Sequence, residues 1–178
     1  MRAIIKLHNG VFSAISTLTG PWLLPTLMRF TFAATLLQYF WNSAQTKLDG
    51  GLFSLSFGAY AQVLPRKYES LGYDPSLLGF FDKAIVYAGT YAEFILPALV
   101  VIGLFTRLAS IGMIGFIAVL TYVDIFGHMA DPTTIGAWFD RIKDSQIMDQ
   151  RLFWLAILVT LIVKGAGPIS IDRFIKVK

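Results

Sequence analysis

The stretch TYAEFILPALVVIGLFTRLAS, residues 90–110, decides how this chain is read. It is apolar almost without a break, as a helix in hydrocarbon is. Yet Glu93 sits inside it, four residues before Pro97. A carboxylate at that depth is costly and calls for a partner or a task. Outward from this stretch, hydropathy marks four apolar segments, at about 22–41, 83–105, 108–126 and 150–167, each near the roughly 20 residues that a helix needs to cross a bilayer. The break GLFTRLAS is short, with Arg107 in the turn, so the second and third segments are expected to be antiparallel neighbours. The expected fold is all-α, a polytopic membrane protein. Residues 21–178 form a four-transmembrane-helix bundle, and residues 1–20 an amphipathic interfacial helix.

Composition supports this class. Of 178 residues, 56% are hydrophobic and 15% charged, so polar groups cannot cover the surface and lipid must. There is no cysteine, which excludes disulfides, thiolate metal ligands, iron–sulfur clusters and dithiol redox chemistry by this chain alone. In the first twenty residues, Ile4, Leu7, Val11, Ile15 and Leu18 recur at helical spacing opposite Lys6, Asn9 and Ser13, the pattern of a helix lying on a membrane or on the protein's own core. Small residues repeat on the second segment (Ala84, Ala88, Ala92) and the third (Ala109, Gly112, Gly115, Ala118), as in helices that pack closely in lipid.

Charge indicates orientation. The termini and the 105–108 turn carry Arg2, Lys6, Arg29, Arg107, Lys164, Arg173, Lys176 and Lys178 against the lone acid Asp172. The two long connections mix both signs. Both termini are therefore expected in the cytoplasm of a bacterial inner membrane, with periplasmic loops outside. The net charge of +4 reflects this sorting, not nucleic-acid binding. His8 then lies inside and His128 outside, about 30 Å apart, which excludes a haem held by two histidines.

Several polar residues fall within the segments. Glu93 lies about 15 Å below the outer face at 1.5 Å per residue. Pro97 lacks the N–H that would bond the Glu93 carbonyl, so the same turn holds a carboxyl and a freed carbonyl. Arg29 is the natural partner of Glu93; the pair would set helix register, whereas a Glu93 without it would be a ligand or proton site. Gln38, Asn42 and Lys47 run along the outer end of the first segment. Asp124 and His128, four apart in TYVDIFGH, share a helix face and could form a proton relay. They are weak metal candidates, since a site needs at least a third ligand. The first connection is rich in aromatics (Phe53, Phe57, Tyr60, Tyr68, Tyr73, Phe80, Phe81), suited to an interface or to a lid over a flat ring. A short helix around 59–64, stopped by Pro65, is expected there.

The segments RFTFAATLLQYFWNSAQTKL, AEFILPALVVIGLFTRLA and DQRLFWLAILVTLIVKGAGPISIDRFI resemble the DoxX family of bacterial four-helix inner-membrane proteins. The resemblance rests on Arg29, Lys47, Glu93, the GLxTR turn at 103–107 and the GAGPxSxD end at 165–172, and covers about residues 22–175. It implies a four-helix bundle with both ends in the cytoplasm. It also implies association with quinone-coupled oxidation, redox-stress complexes or metal handling. The long first connection and the N-terminal helix depart from the simplest members.

The functional expectation is a redox-associated membrane subunit binding a quinone or similar lipid-soluble ligand in a bundle cavity. Arg29, Gln38, Asn42, Lys47 and Glu93 are the ligand-binding candidates. Glu93, Asp124 and His128 are the candidates for any proton chemistry. Quinone is the one cofactor expected; a haem, an iron–sulfur cluster and a metal are not. With no redox centre of its own, the chain would need a protein partner, and a homo-oligomer is compatible with the sequence. The alternatives are a non-enzymatic membrane anchor or assembly factor, and a small transporter or metal-handling protein.

Overall fold

The computed structural model describes residues 1–177, and these are all-helical apart from loops and one isolated bridge, Leu48 to Leu55. Helix α1 covers Arg2–Thr19. Helices α2 (Leu23–Phe32) and α3 (Gln38–Thr46) form one rod, joined by a π-helical turn at Ala33–Leu37. The first connection holds α4 (Phe57–Val63) and α5 (Pro65–Ser70). Then come α6 (Phe80–Ile102) and α7 (Thr106–Tyr122), which ends in a second π turn, Val123–Gly127. The second connection holds α8 (Pro132–Ile135). Helix α9 (Met148–Lys164) and the short α10 (Ile171–Phe174) complete the chain.

The α2–α3 rod, α6, α7 and α9 pack in a ring, each against the next. Their shared core is Phe32, Leu36 and Phe40 from the rod, Val100 from α6, Ala109, Met113 and Ile117 from α7, and Ile157, Leu158 and Leu161 from α9. The four-residue spacing on the rod and on α7 aims each set at the same interior. Two helices are long and apolar enough to cross a membrane, Phe80–Ile102 and Thr106–Gly127; a third span arises if α1 and the rod, bent by 59°, count as one. Helix α9 has 17 residues, about 26 Å, slightly short of a hydrocarbon core of about 30 Å.

Several expected boundaries move. The rod continues to Thr46, beyond the expected end near 41. Helix α6 begins at Phe80 and stops at Ile102 because Gly103 adopts a left-handed conformation (φ 71°). A Cβ there would come within 2.8 Å of Cζ of Arg29, so both backbone and space require glycine. The turn is Gly103–Phe105, and Arg107 lies in the first turn of α7 rather than in the turn itself. Helix α9 stops at Lys164 instead of 167 because Gly165 is again at positive φ. Pro65 does not merely stop α4; it starts α5 at the position where its missing N–H costs nothing. No residue of α1 is buried, so it does not pack into the protein's own core. Gly115 differs from expectation, since an added Cβ would meet nothing within 4 Å, and the same holds for Gly89 on α6. They leave open space, whereas Gly112, 3.0 Å from the Leu96 side chain, is the close-packed one.

Candidate ligand site

Glu93 is 3% exposed and its partner is Lys47, also buried. Lys47 Nζ donates to Glu93 Oε2 at 2.8 Å and to Oε1 at 3.1 Å. It also donates to Ser43 Oγ at 2.8 Å and to the Ser43 carbonyl at 3.2 Å, and Ser43 Oγ donates to Glu93 Oε1 at 3.3 Å. Lys47 reaches this position because it caps the rod, where the chain folds back on itself: Ser56 N–H bonds the Lys47 carbonyl and Asp49 N–H bonds the Ser54 carbonyl. A buried pair with its hydrogen bonds satisfied avoids the penalty of an isolated charge.

Arg29 is not the partner of Glu93. Its guanidinium donates to the carbonyls of Val100 and Val101, at the end of α6, and to those of Ala166 and Ile169, after α9. Unpaired carbonyls at a helix C-terminus attract a cation, and Arg29 meets them one turn into the rod, at the opposite end from Lys47. Asp172 complements it by accepting from the N–H groups of Phe105 (2.6 Å) and Thr106 (2.9 Å), which caps α7. Arg29 and Asp172 thus tie the two helix-ending motifs, 103–107 and 165–172, into one knot.

The expected Asp124–His128 pair is also replaced. The π turn Val123–Gly127 bonds His128 N–H to the Val123 carbonyl, five residues back; both side chains still border the same cavities, but each has a partner other than its neighbour. Asp124 instead pairs with Arg151 of α9, which also donates to Thr121 Oγ1 at 2.6 Å. His128 Nε2 lies 3.0 Å from the Gln62 carbonyl. Among the described residues no three histidine, aspartate or glutamate side chains gather as a metal site.

The Lys47–Glu93 pair borders a cavity of ≈ 580 Å³ between the rod, α6 and α7. Its walls are mainly apolar and small: Ala88, Gly89, Ala92, Gly112 and Gly115, with Leu96, Phe116 and Val119. Polar groups come from Tyr39, Ser43, Gln62, Asp124 and His128. Ile85, Ala88, Gly115 and Val119 are exposed, so the cavity opens sideways between α6 and α7. A second cavity of ≈ 740 Å³ lies towards α9, with Arg151 and Trp154, and shares Tyr39, Asp124 and His128 with the first.

Of the sequence candidates, Lys47, Glu93, Asp124 and His128 come together around the first cavity, while Arg29 lies elsewhere. Gln38 and Asn42 are hydrogen-bonded to each other (2.6 Å) and line neither cavity. The π turn at 33–37 interrupts the regular repeat, and Tyr39 and Ser43, one residue on from each of them, border the cavity instead. Tyr39, Ser43 and Arg151 went unrecognised in the sequence. Ser43 carried one usable signal, its position one turn before Lys47.

A family model described as DoxX matches residues 24–129, more than half of the chain. The match includes Arg29, Lys47, Glu93, the 103–107 turn, Asp124 and His128, and stops before the 165–172 motif. No curated protein and no solved structure matches significantly. On this match, and with apolar helices of membrane type arranged around that ion pair, the chain belongs to the DoxX family.

Proposed function

We propose that the protein crosses a bacterial inner membrane four times, termini inside, and binds a quinone or a similar lipid-soluble ligand in the cavity bordered by Lys47 and Glu93. One observation carries this reading. A buried, hydrogen-bonded ion pair borders a mainly apolar cavity of ≈ 580 Å³ with a side opening between α6 and α7. Ligand sites of this size pair apolar walls with a few convergent polar groups. The room beside Gly89 and Gly115 accommodates a flat ring, and the side opening suits a ligand that arrives dissolved in lipid.

In this site Lys47 would donate a hydrogen bond to a ring oxygen in place of one of its bonds to Ser43, and Glu93 would hold the ammonium in place. Tyr39 and His128 border the same space and offer further hydrogen-bonding groups. A bound quinone supplies the electron-accepting chemistry. The chain has no thiol, so its own part is to bind, orient and exclude water, and a partner must deliver electrons. Four crossings place the basic knot of Arg29, Arg107 and Lys164 inside, in accord with the excess of cations in the short turn and tails. Helix α1, bent away from the rod and unburied, would lie in the inner interface.

The test is quinone analysis of the protein purified in mild detergent, beside Glu93→Gln and Gly89→Leu. Gly89→Leu fills the cavity while keeping both charged groups, and its Cβ meets no neighbour within 4 Å. Near-stoichiometric quinone in the native protein, lost in Gly89→Leu with stability retained, supports the reading. Equal lipid and no retained quinone in all three would assign the ion pair to helix register alone, as in a non-enzymatic anchor.

A further inference from the structure

The end of the molecule opposite the Lys47–Glu93 pair contains another cavity, of ≈ 790 Å³, bordered by Trp22, by the start of α7 and by the loop after α9. Three cations line it: Arg107, Lys164 and Arg173. All are exposed, and among the described residues none has a carboxylate partner within salt-bridge distance. Among the described residues Asp172 is the one acid that borders the space, and its two oxygens are engaged by the Phe105 and Thr106 N–H groups.

Two further features point to a ligand. Thr106 is 0% exposed and its Oγ1 has no hydrogen-bond partner, although it borders the cavity. An orphaned buried hydroxyl is uncommon and calls for a group that completes it. Thr106 also opens α7, a helix of 17 residues whose next N–H groups, of Arg107 and Leu108, have no carbonyl partner among the described residues. Free N–H groups, the helix dipole and surrounding cations together favour an anion. The guanidinium of Arg107 lies over Gly165, where a Cβ would lie 3.5 Å from Arg107 Nε, so one cation stands against the loop after α9 beside the cavity.

We infer that this cavity binds a phosphate-type anion, with Arg107, Lys164, Arg173 and the Thr106 hydroxyl as its recognition groups. The phosphate belongs either to the headgroup of an anionic phospholipid or to a soluble molecule. The lipid source rests on the four-span reading above; the anion chemistry does not. Trp22 on the rim has the indole placement of an interfacial residue and supports the lipid source.

The experiment is native mass spectrometry of the full chain released from neutral detergent. The probes are phosphatidylglycerol, phosphatidylcholine and inorganic phosphate, and the proteins are the native chain, Arg107→Gln/Arg173→Gln, Thr106→Val and a control, Arg66→Gln/Lys143→Gln, in the other connections. Expected is one retained phosphatidylglycerol per chain in preference to phosphatidylcholine. Retention is weakened about tenfold or more in the double variant, which loses two of three cations, and stays unchanged in the control. Thr106→Val, which removes only the hydroxyl, should also weaken it while leaving thermal stability intact. Displacement by millimolar inorganic phosphate would assign the site to a soluble phosphate, and no displacement assigns it to the lipid. Equal retention of both lipids with no phosphate binding, or full retention in the double variant, overturns the proposal. Because quinone retention is read at the far end of the chain, failure of either reading leaves the other measurable.

Discussion

Removing one member of the Lys47–Glu93 pair should be far more damaging than removing both. The two side chains are 5% and 4% exposed, and their closest approach is 2.8 Å. At an effective dielectric of about 20, that separation corresponds to about 6 kcal/mol of attraction. Desolvating the two ions offsets much of it, so the pair has little net advantage over an apolar pair of similar volume. A single loss is different, because it strands the other charge. Lys47→Met and Glu93→Met are each expected to destabilise by about 3–5 kcal/mol, whereas Lys47→Met/Glu93→Met should fall within about 2 kcal/mol of the native protein. The coupling energy is then at least about 4 kcal/mol, well above the additivity error of independent sites. The assay is reversible unfolding in mixed micelles with rising dodecyl sulfate, followed by circular dichroism and tryptophan emission. Singles that cost under about 1 kcal/mol, or a double equal to their sum, would refute the claim that these groups form a buried, mutually dependent pair.

Three other outcomes are set by the geometry. Gly103→Ala should cost at least about 1–2 kcal/mol for the left-handed backbone alone, and more because the new methyl meets Arg29; a neutral effect in the same assay would refute the tight α6–α7 turn. Asp172→Ala should cost about 0.5–2 kcal/mol and accelerate hydrogen exchange at the Phe105 and Thr106 amides, with exchange elsewhere on α7 little changed. Asp131 is held well below the ordinary aspartate range, chiefly by the Thr133 hydroxyl and then by Thr134, as it caps α8. A depressed folded value means that this cap's contribution is full above the unfolded value of about 3.9 and is lost only as pH falls through the lower folded value. Carboxyl carbon NMR should therefore show Asp131 titrating below about 3.9, and a midpoint at or above that value would mean the cap is not formed.

The absence of cysteine makes orientation directly measurable, since any introduced thiol is unique. Asp140→Cys in the second connection should react with an impermeant maleimide on intact cells. Lys176→Cys should react only after permeabilisation. The reverse pattern would invert the proposed topology.

The helical segments were legible from the sequence because hydropathy and length are local properties. Residues 80–102 and 106–127 cannot be exposed to water at acceptable cost. The stops of α6 and α9 were not legible, since the expected ends lay at 105 and 167, and the left-handed backbone of Gly103 and the positive φ of Gly165 set them earlier. Glu93, Lys47 and Asp172 were also conspicuous as charges among apolar neighbours or opposite signs. Their partners were not legible. Sequence alone favoured Arg29 for Glu93, because a guanidinium in an apolar segment is the obvious counter-ion. Tertiary packing instead gives Arg29 to the carbonyl ends of α6 and the α9 loop, and Lys47, folded in by the 48–55 loop, to Glu93. The place of Tyr39 and Ser43 was hidden for a related reason: a π turn at 33–37 interrupts the regular helical repeat, so the residues that line the cavities from the outer half of the rod are not those a regular helix predicts. The sequence by itself determined which stretches are helical and that Glu93 is a carboxylate inside an apolar helix. Only the packed structure decided which charges meet, because that depends on helix rotation and on contacts between residues tens of positions apart.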